Sequence, residues 1–225
     1  MSLDIDRIGA LCFDLDGTLS DTDDLWVHKL EPLFRPFPFL HPHSDLHTFT
    51  RRVVMGLETP GNLLYHWFDR FSIDYVLGRV YSTLIHLHLI RRRQRKFWAI
   101  TGAVEMIRTL CTRYPLALVT TRDAYSTDCF LKQFDIHHCF TAVATSQTCF
   151  YTKPFPDPVL WAARQMGVPA QNCLMIGDTV VDIRAGRAAG TQTVGVLCGF
   201  GSEDELRRAK ADEILSATPD LLNIL

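Results

Sequence analysis

The chain alternates between short, wholly apolar runs and longer stretches with helical spacing. Ile8-Gly9-Ala10-Leu11-Cys12-Phe13, Leu116-Ala117-Leu118-Val119, Cys173-Leu174-Met175-Ile176 and Thr193-Val194-Gly195-Val196 read as strands buried on both faces. From Thr101 onward these runs alternate with helical segments, one of them running to Ala189 and a last short one following Val196. That alternation predicts an α/β fold built on a doubly wound parallel sheet, a Rossmann-like core. No strand pattern occurs between Leu25 and Ile90. Prolines 32, 36, 38 and 42 mark a stiff loop there, and 45–55 and 62–71 read as short helices. The stretch 74–90 is the clearest helix, with Leu77, Val80, Leu84 and Leu87 on one face. The pattern thus sets an all-helical stretch, 21–98, between the α/β segments 1–20 and 99–225.

Polar residues that carry chemistry gather where the apolar runs stop. The first run ends in Asp14-Leu15-Asp16-Gly17-Thr18. Alternate side chains of an extended segment point the same way, so Asp14 and Asp16 can face one small site. Two crowded carboxylates repel, so one is protonated or a cation sits between them. The second run ends in Thr120-Thr121-Arg122-Asp123, and the third in Gly177-Asp178-Thr179, with Asp182 four residues after Asp178. Between them lies Lys153-Pro154, ahead of Asp157-Pro158, which reads as a helix N-cap followed by proline at the first helical position. In an open parallel sheet the carboxyl ends of the strands form the ligand crevice, so these four segments can converge. Asp182 also suits the first turn of the helix that follows, where negative charge is favourable. The two roles are compatible.

The four motifs in this order resemble those of the haloacid dehalogenase-like hydrolase superfamily, and within it the helical-cap phosphatases of the phosphoglycolate phosphatase-like type. They run from Asp14 to Asp182, so the resemblance covers nearly the whole chain, and it implies a core of 1–20 and 99–225 with 21–98 as an inserted helical cap. The resemblance implies a Mg²⁺-dependent phosphatase that hydrolyses a small-molecule phosphomonoester through an aspartyl phosphate. By it, Asp14 is the nucleophile, and Asp16 protonates the leaving alcohol and then takes a proton from the attacking water. Thr120 binds a phosphoryl oxygen, Thr121 joins it in the substrate-binding set, and Lys153 offsets charge on nucleophile and phosphate. Mg²⁺ is held by Asp14, Asp178 and the backbone carbonyl of Asp16, with Asp182 touching the metal or just beyond it. Many relatives carry acidic residues shortly before the Lys-Pro motif, whereas this chain has Thr145-Ser146-Gln147-Thr148. That departure bears on the local phosphate pocket and leaves the nucleophile, metal and lysine roles intact.

Two other functions remain compatible with such motifs. A phosphomutase of the β-phosphoglucomutase type uses the same two aspartates, and a non-catalytic binding protein can retain the same fold. Loss of Asp14, Asp16, Lys153 or Asp178 would favour the latter, and all four are present. A dehalogenase needs neither the second aspartate nor the metal, so Asp16 argues against that activity.

Composition narrows the picture further. The 225 residues suffice for one sizeable core and a smaller subdomain, and a net charge of −2 makes no general case for nucleic-acid binding. The basic run 91–96 falls where the cap should return to the core and reads as a solvated hinge. His41, His43 and His47 sit in the proline-rich loop, and His86 and His88 do not share a helical face, so neither group reads as a metal site. Seven cysteines without a CxxC pair suggest reduced thiols. With no signal-peptide pattern and no apolar run of membrane-spanning length, a cytoplasmic enzyme of a small phosphorylated metabolite is expected, its oligomeric state open.

Overall fold

Six parallel strands form one sheet in the computed structural model, which describes residues 3–21, 34–35, 46 and 97–225. The strands are β1 (Ala10–Phe13), β2 (Leu116–Val119), β3 (Phe140–Ala144), β4 (Cys173–Gly177), β5 (Gln192–Val196) and β6 (Glu213–Leu215), in the spatial order β3-β2-β1-β4-β5-β6. The order reverses direction between β1 and β4, the position at which open α/β sheets form their ligand crevice.

Both faces of the sheet are covered, as the unbroken apolar runs require. On one face Leu11, Phe13, Leu118, Leu174, Ile176, Val194 and Val196 pack against α1 (Ala103–Leu110) and α2 (Ala124–Gln133), through Met106, Ile107, Leu110, Phe130 and Leu131. The alternate residues Ala10, Cys12, Ala117, Cys173 and Met175 meet α3 (Asp157–Met166) and α4 (Val180–Ala189) on the other face, through Val159, Ala162, Ala163 and Ala185. This second face is built mainly of small side chains, which lets the helices approach closely. A Cβ at Gly186 of α4 would stand 2.8 Å from Met175 Cβ, a separation real Cβ atoms essentially never show. The short α5 (Glu203–Arg208) follows β5 and buries Leu206.

The doubly wound α/β core predicted from the sequence is therefore observed. β2 has the predicted bounds, whereas β1 is shorter by two residues because Ile8 N–H donates to Ile5 O of a preceding 3₁₀ turn. Asp157 is the first residue of α3, which begins one residue earlier than expected: Pro156 occupies the cap position, and Pro158 is the second helical residue. The predicted cap helices, the proline-rich loop, the five histidines and the basic run fall outside the described residues, save for Phe34, Arg35 and Leu46. The described residues do show where that segment leaves and rejoins the core. Ser20 pairs antiparallel with Ala99, and Asp21 N–H donates to Trp98 O at 2.9 Å. None of the seven cysteines forms a disulfide, and no helix among the described residues is long and apolar enough to cross a membrane.

Candidate active site

Asp14, Thr120 and Asp178 each stand immediately after a strand, at the carboxyl ends of β1, β2 and β4. Asp14 extends the β1 ladder by one bond, its N–H donating to Ile176 O at 2.9 Å. Its carboxylate is thereby held rigidly at the reversal point of the sheet. Lys153 comes from the turn before α3 and is only 3% exposed; its Nζ donates to Asp14 Oδ1 and to Asp182 Oδ1, each at 2.6 Å. Asp182 is fixed from its other oxygen, which accepts from Thr179 N–H at 3.0 Å and Thr179 Oγ1 at 2.6 Å across the first turn of α4. It is at once a helix-terminus residue and a member of the charged cluster, as its position in the sequence allowed.

Asp178 is fully buried; its Oδ1 accepts from Thr18 Oγ1 at 3.2 Å and its Oδ2 from Phe200 N–H at 2.8 Å. The backbone closes tightly around it. Gly17 has φ +76°, and a Cβ there, or at Gly199, would collide with the Asp178 carboxylate. Glycine is thus required at position 17 both for its left-handed backbone and for this close approach. The loop that carries Gly17 is held from behind, with Thr218 Oγ1 donating to Thr18 O at 2.6 Å and Cys198 Sγ to Gly17 O at 3.5 Å.

The electrostatics of this cluster fit a cation. Carboxylate oxygens of Asp14, Asp178 and Asp182 lie within 4.8 Å of one another, all three residues are buried, and Lys153 donates to Asp14 and Asp182. Burial pushes the Asp14 carboxyl up to about 7, with Asp182 and Asp16 adding to the rise and Lys153 opposing it. Burial works against the Lys153 charge too, but the adjacent Asp14 and Asp182 outweigh it and hold the ammonium above its ordinary range. Among the described residues, three buried carboxylates stand against the one lysine bonded to them, an excess of negative charge. All-oxygen donors of this kind suit a hard divalent ion.

The remaining predicted residues are arranged differently. Asp16 pairs with Arg122, whose Nε donates to Asp16 Oδ2 at 3.0 Å and whose Nη2 pairs with Asp16 Oδ1. Its side chain is not part of the carboxylate triad; the contact expected of Asp16 with a metal was through the backbone carbonyl. Thr120 is buried, and its Oγ1 accepts from Arg122 N–H at 3.0 Å. Thr121 is exposed. Arg122, Thr18 and Phe200 were given no role in the sequence reading. A basic residue two positions beyond a strand-end threonine was the available signal for Arg122, whereas the Phe200 contact is made by backbone and carries no sequence signal.

The profile described as Haloacid dehalogenase-like hydrolase matches residues 11–196. The chain belongs to this family. Among curated members, this haloacid dehalogenase-like hydrolase is similar to the Pyrophosphatase PpaX of Anoxybacillus flavithermus, 28% identical over 226 residues with 97% of each chain covered. The protein of the same name from Halalkalibacterium halodurans is 28% identical over 220 residues, again covering 97% of each. Among solved structures, a hydrolase from Pseudomonas syringae is 26% identical, with TM-score 0.64 and 96% of each chain covered. A haloacid dehalogenase family hydrolase from Deinococcus radiodurans, solved with bound phosphate and sodium, shares the fold at 20% identity and TM-score 0.65, covering 97% of this chain and 94% of its own. The family makes this chain a hydrolase.

Proposed function

We propose that the protein is a Mg²⁺-dependent phosphatase that hydrolyses small phosphorylated metabolites through an aspartyl phosphate on Asp14. The observation that carries this reading is Lys153, buried between Asp14 and Asp182 with Asp178 alongside, at the reversal point of the sheet. A carboxylate approaching a phosphate dianion meets repulsion of about 4 kcal/mol per pair of unit charges at 4 Å and an effective dielectric of 20. Asp14, Asp178 and the backbone carbonyl of Asp16 would hold Mg²⁺, with Asp182 beside them. A divalent ion bound there supplies the positive charge that offsets this repulsion and polarises the phosphoryl group.

This chain's own residues perform the rest. Asp14 attacks phosphorus in line with the leaving oxygen, and the bond from phosphorus to that oxygen breaks. Asp16 gives the leaving oxygen its proton, then takes one from the water that attacks the phosphorus of the aspartyl phosphate, freeing phosphate and Asp14. Lys153 Nζ, already on Asp14, places a point charge where negative charge accumulates. Thr120 and Thr121 bind phosphoryl oxygens. Residues 21–98 form the helical cap that selects the leaving group, a reading supported by the exit and return of the chain side by side at Ser20 and Ala99. The curated relatives' names bring phosphoric anhydrides into the candidate substrates beside monoesters. Seven free thiols favour the cytoplasm as its compartment.

Phosphate release from a panel of phosphomonoesters and pyrophosphate, with and without Mg²⁺, beside Asp14→Asn, tests this. The expected result is metal-dependent release that Asp14→Asn reduces below about 1% of wild type, the usual scale of losing a catalytic nucleophile. Release that persists in Asp14→Asn, with deamidation excluded, would remove the reading.

A further inference from the structure

Arg122 occupies the crevice in a manner that the hydrolytic roles above leave unexplained. Its guanidinium grips both oxygens of Asp16 through Nε and Nη2, while Nη1 is buried and has no hydrogen-bond partner among the described residues. One face of the group lies over Phe97, 5.3 Å from the ring centroid. That platform is itself fixed: Gln133 brackets the Phe97 backbone, accepting from its N–H at 3.0 Å and donating to its carbonyl at 2.7 Å. The Phe97 ring also packs edge-on against buried Phe130 at 5.9 Å. The Arg122 backbone is pinned on both sides, its N–H on Thr120 Oγ1 and its carbonyl accepting from Ser146 N–H. The cation is therefore preorganised, and its Nη1 lacks an acceptor among the described residues.

We propose that Arg122 is the specificity-determining residue of this site, binding a second anionic group, carboxylate or phosphate, carried on the leaving side of the substrate. The inference rests on the phosphatase reading, in which Asp16 faces the leaving oxygen, because a group bound to Asp16 then lies on that same side. A planar guanidinium matches carboxylate and phosphate oxygens bidentately, and an anion with two or three oxygens reaches Nη1 as well as a nitrogen now given to Asp16. A buried N–H without an acceptor is destabilising, so the exchange satisfies a group that the resting site leaves bare. It also releases the Asp16 carboxyl from the fork to turn to the leaving oxygen. A substrate whose leaving group carries no charge leaves Arg122 on Asp16 and forgoes both gains.

The test compares 2-phosphoglycolate with ethyl phosphate, a pair differing mainly in the distal carboxylate, with pyrophosphate as the phosphate arm. Phosphate release with Mg²⁺ is followed for the wild type, Arg122→Gln and Arg122→Lys, with Asp14→Asn as control and thermal melts as a check on folding. The wild type should favour at least one anion-bearing substrate over ethyl phosphate by about tenfold to a hundredfold in kcat/KM, the range of one charge-assisted hydrogen-bonded contact. Arg122→Gln should bring that ratio within about threefold of unity, chiefly through KM, and Arg122→Lys, with charge but no fork, should fall between. The two arms show whether carboxylate or phosphate is the preferred group. A wild type without preference overturns the inference, as does an Arg122→Gln that slows all substrates while keeping the ratio. If Arg122→Gln does not fold, the wild-type ratio and Arg122→Lys decide in the same way. Release that is abolished by Asp14→Asn yet indifferent to the second anion sinks the role of Arg122 alone; no Asp14-dependent release from any substrate sinks the phosphatase reading with it.

Discussion

Lys153 bonds two buried carboxylates at 2.6 Å each, and its removal leaves Asp14, Asp178 and Asp182 crowded without that ammonium. Breaking a buried pair from one side costs about 3–5 kcal/mol. Lys153→Met should lose stability on that scale in metal-free urea titrations and regain part of it with Mg²⁺, since an ion that binds only the folded state stabilises it. Equal stability with and without the lysine would contradict the cluster as described. Asp14 adds a pH dependence. Its carboxyl is raised from an ordinary value near 3.8 to about 7, so the folded state binds the proton more tightly than the unfolded chain. The contribution of Asp14 to metal-free stability therefore falls as pH rises from about 4 to about 7. Melts of wild type and Asp14→Asn across that window should differ in slope, the variant lacking this term; identical slopes would count against it. Asp16 makes a separate prediction. Asp16→Ala should slow alkyl phosphates more than p-nitrophenyl phosphate, whose leaving group hardly needs a proton. Equal losses would mean that Asp16 chiefly orders the loop.

At the level of elements, helix starts do much of the positioning. The first turn of α4 holds Asp182 through Thr179, and α5 begins with a similar box in which Ser202 N–H and Oγ donate to Glu205 Oε2 at 3.1 and 2.8 Å. These bonds hold the Glu205 carboxyl below its ordinary value of 4.5. Its contribution is therefore present above that value and is lost as pH falls through the lower folded pKa. Ser202→Ala should cost about 1 kcal/mol near neutral pH, and less in acid. An undiminished penalty in acid would contradict this account of the cap. The legible part of the fold follows the same division between side-chain pattern and backbone contact. β2 was read to the residue because its four side chains are all buried and its neighbours polar or turn-forming. β1 was overread because the apolar Ile8 and Gly9 match a strand pattern, while their N–H groups bond to Ile5 O and Asn172 O. β6, with Glu213 exposed at the sheet edge, has too little apolar contrast to stand out. In the site, Asp14, Thr120, Lys153, Asp178 and Asp182 could be grouped from the sequence because each follows a strand, precedes a helix or lies in a helix's first turn. The grip of Arg122 on Asp16 was not legible, because neither residue's place in its motif signals that the two side chains pair.

Across the whole molecule, the sheet order β3-β2-β1-β4-β5-β6 brings the ends of β1 and β4 together, and with them Asp14 and Asp178. The chain leaves the core at Ser20 and returns beside it at Ala99; in the proposed function, chemistry falls to the core and leaving-group selection to 21–98. Everything in the proposed chemistry depends on one covalent event at Asp14. The most direct measurement is a rapid acid quench of the enzyme turning over a phosphorylated substrate with Mg²⁺, followed by borohydride reduction and peptide mass spectrometry. An aspartyl phosphate is reduced to homoserine, whereas a free carboxylate is not. The account predicts homoserine at position 14, dependent on substrate. Turnover that leaves position 14 unmodified, or that marks another aspartate, would contradict it.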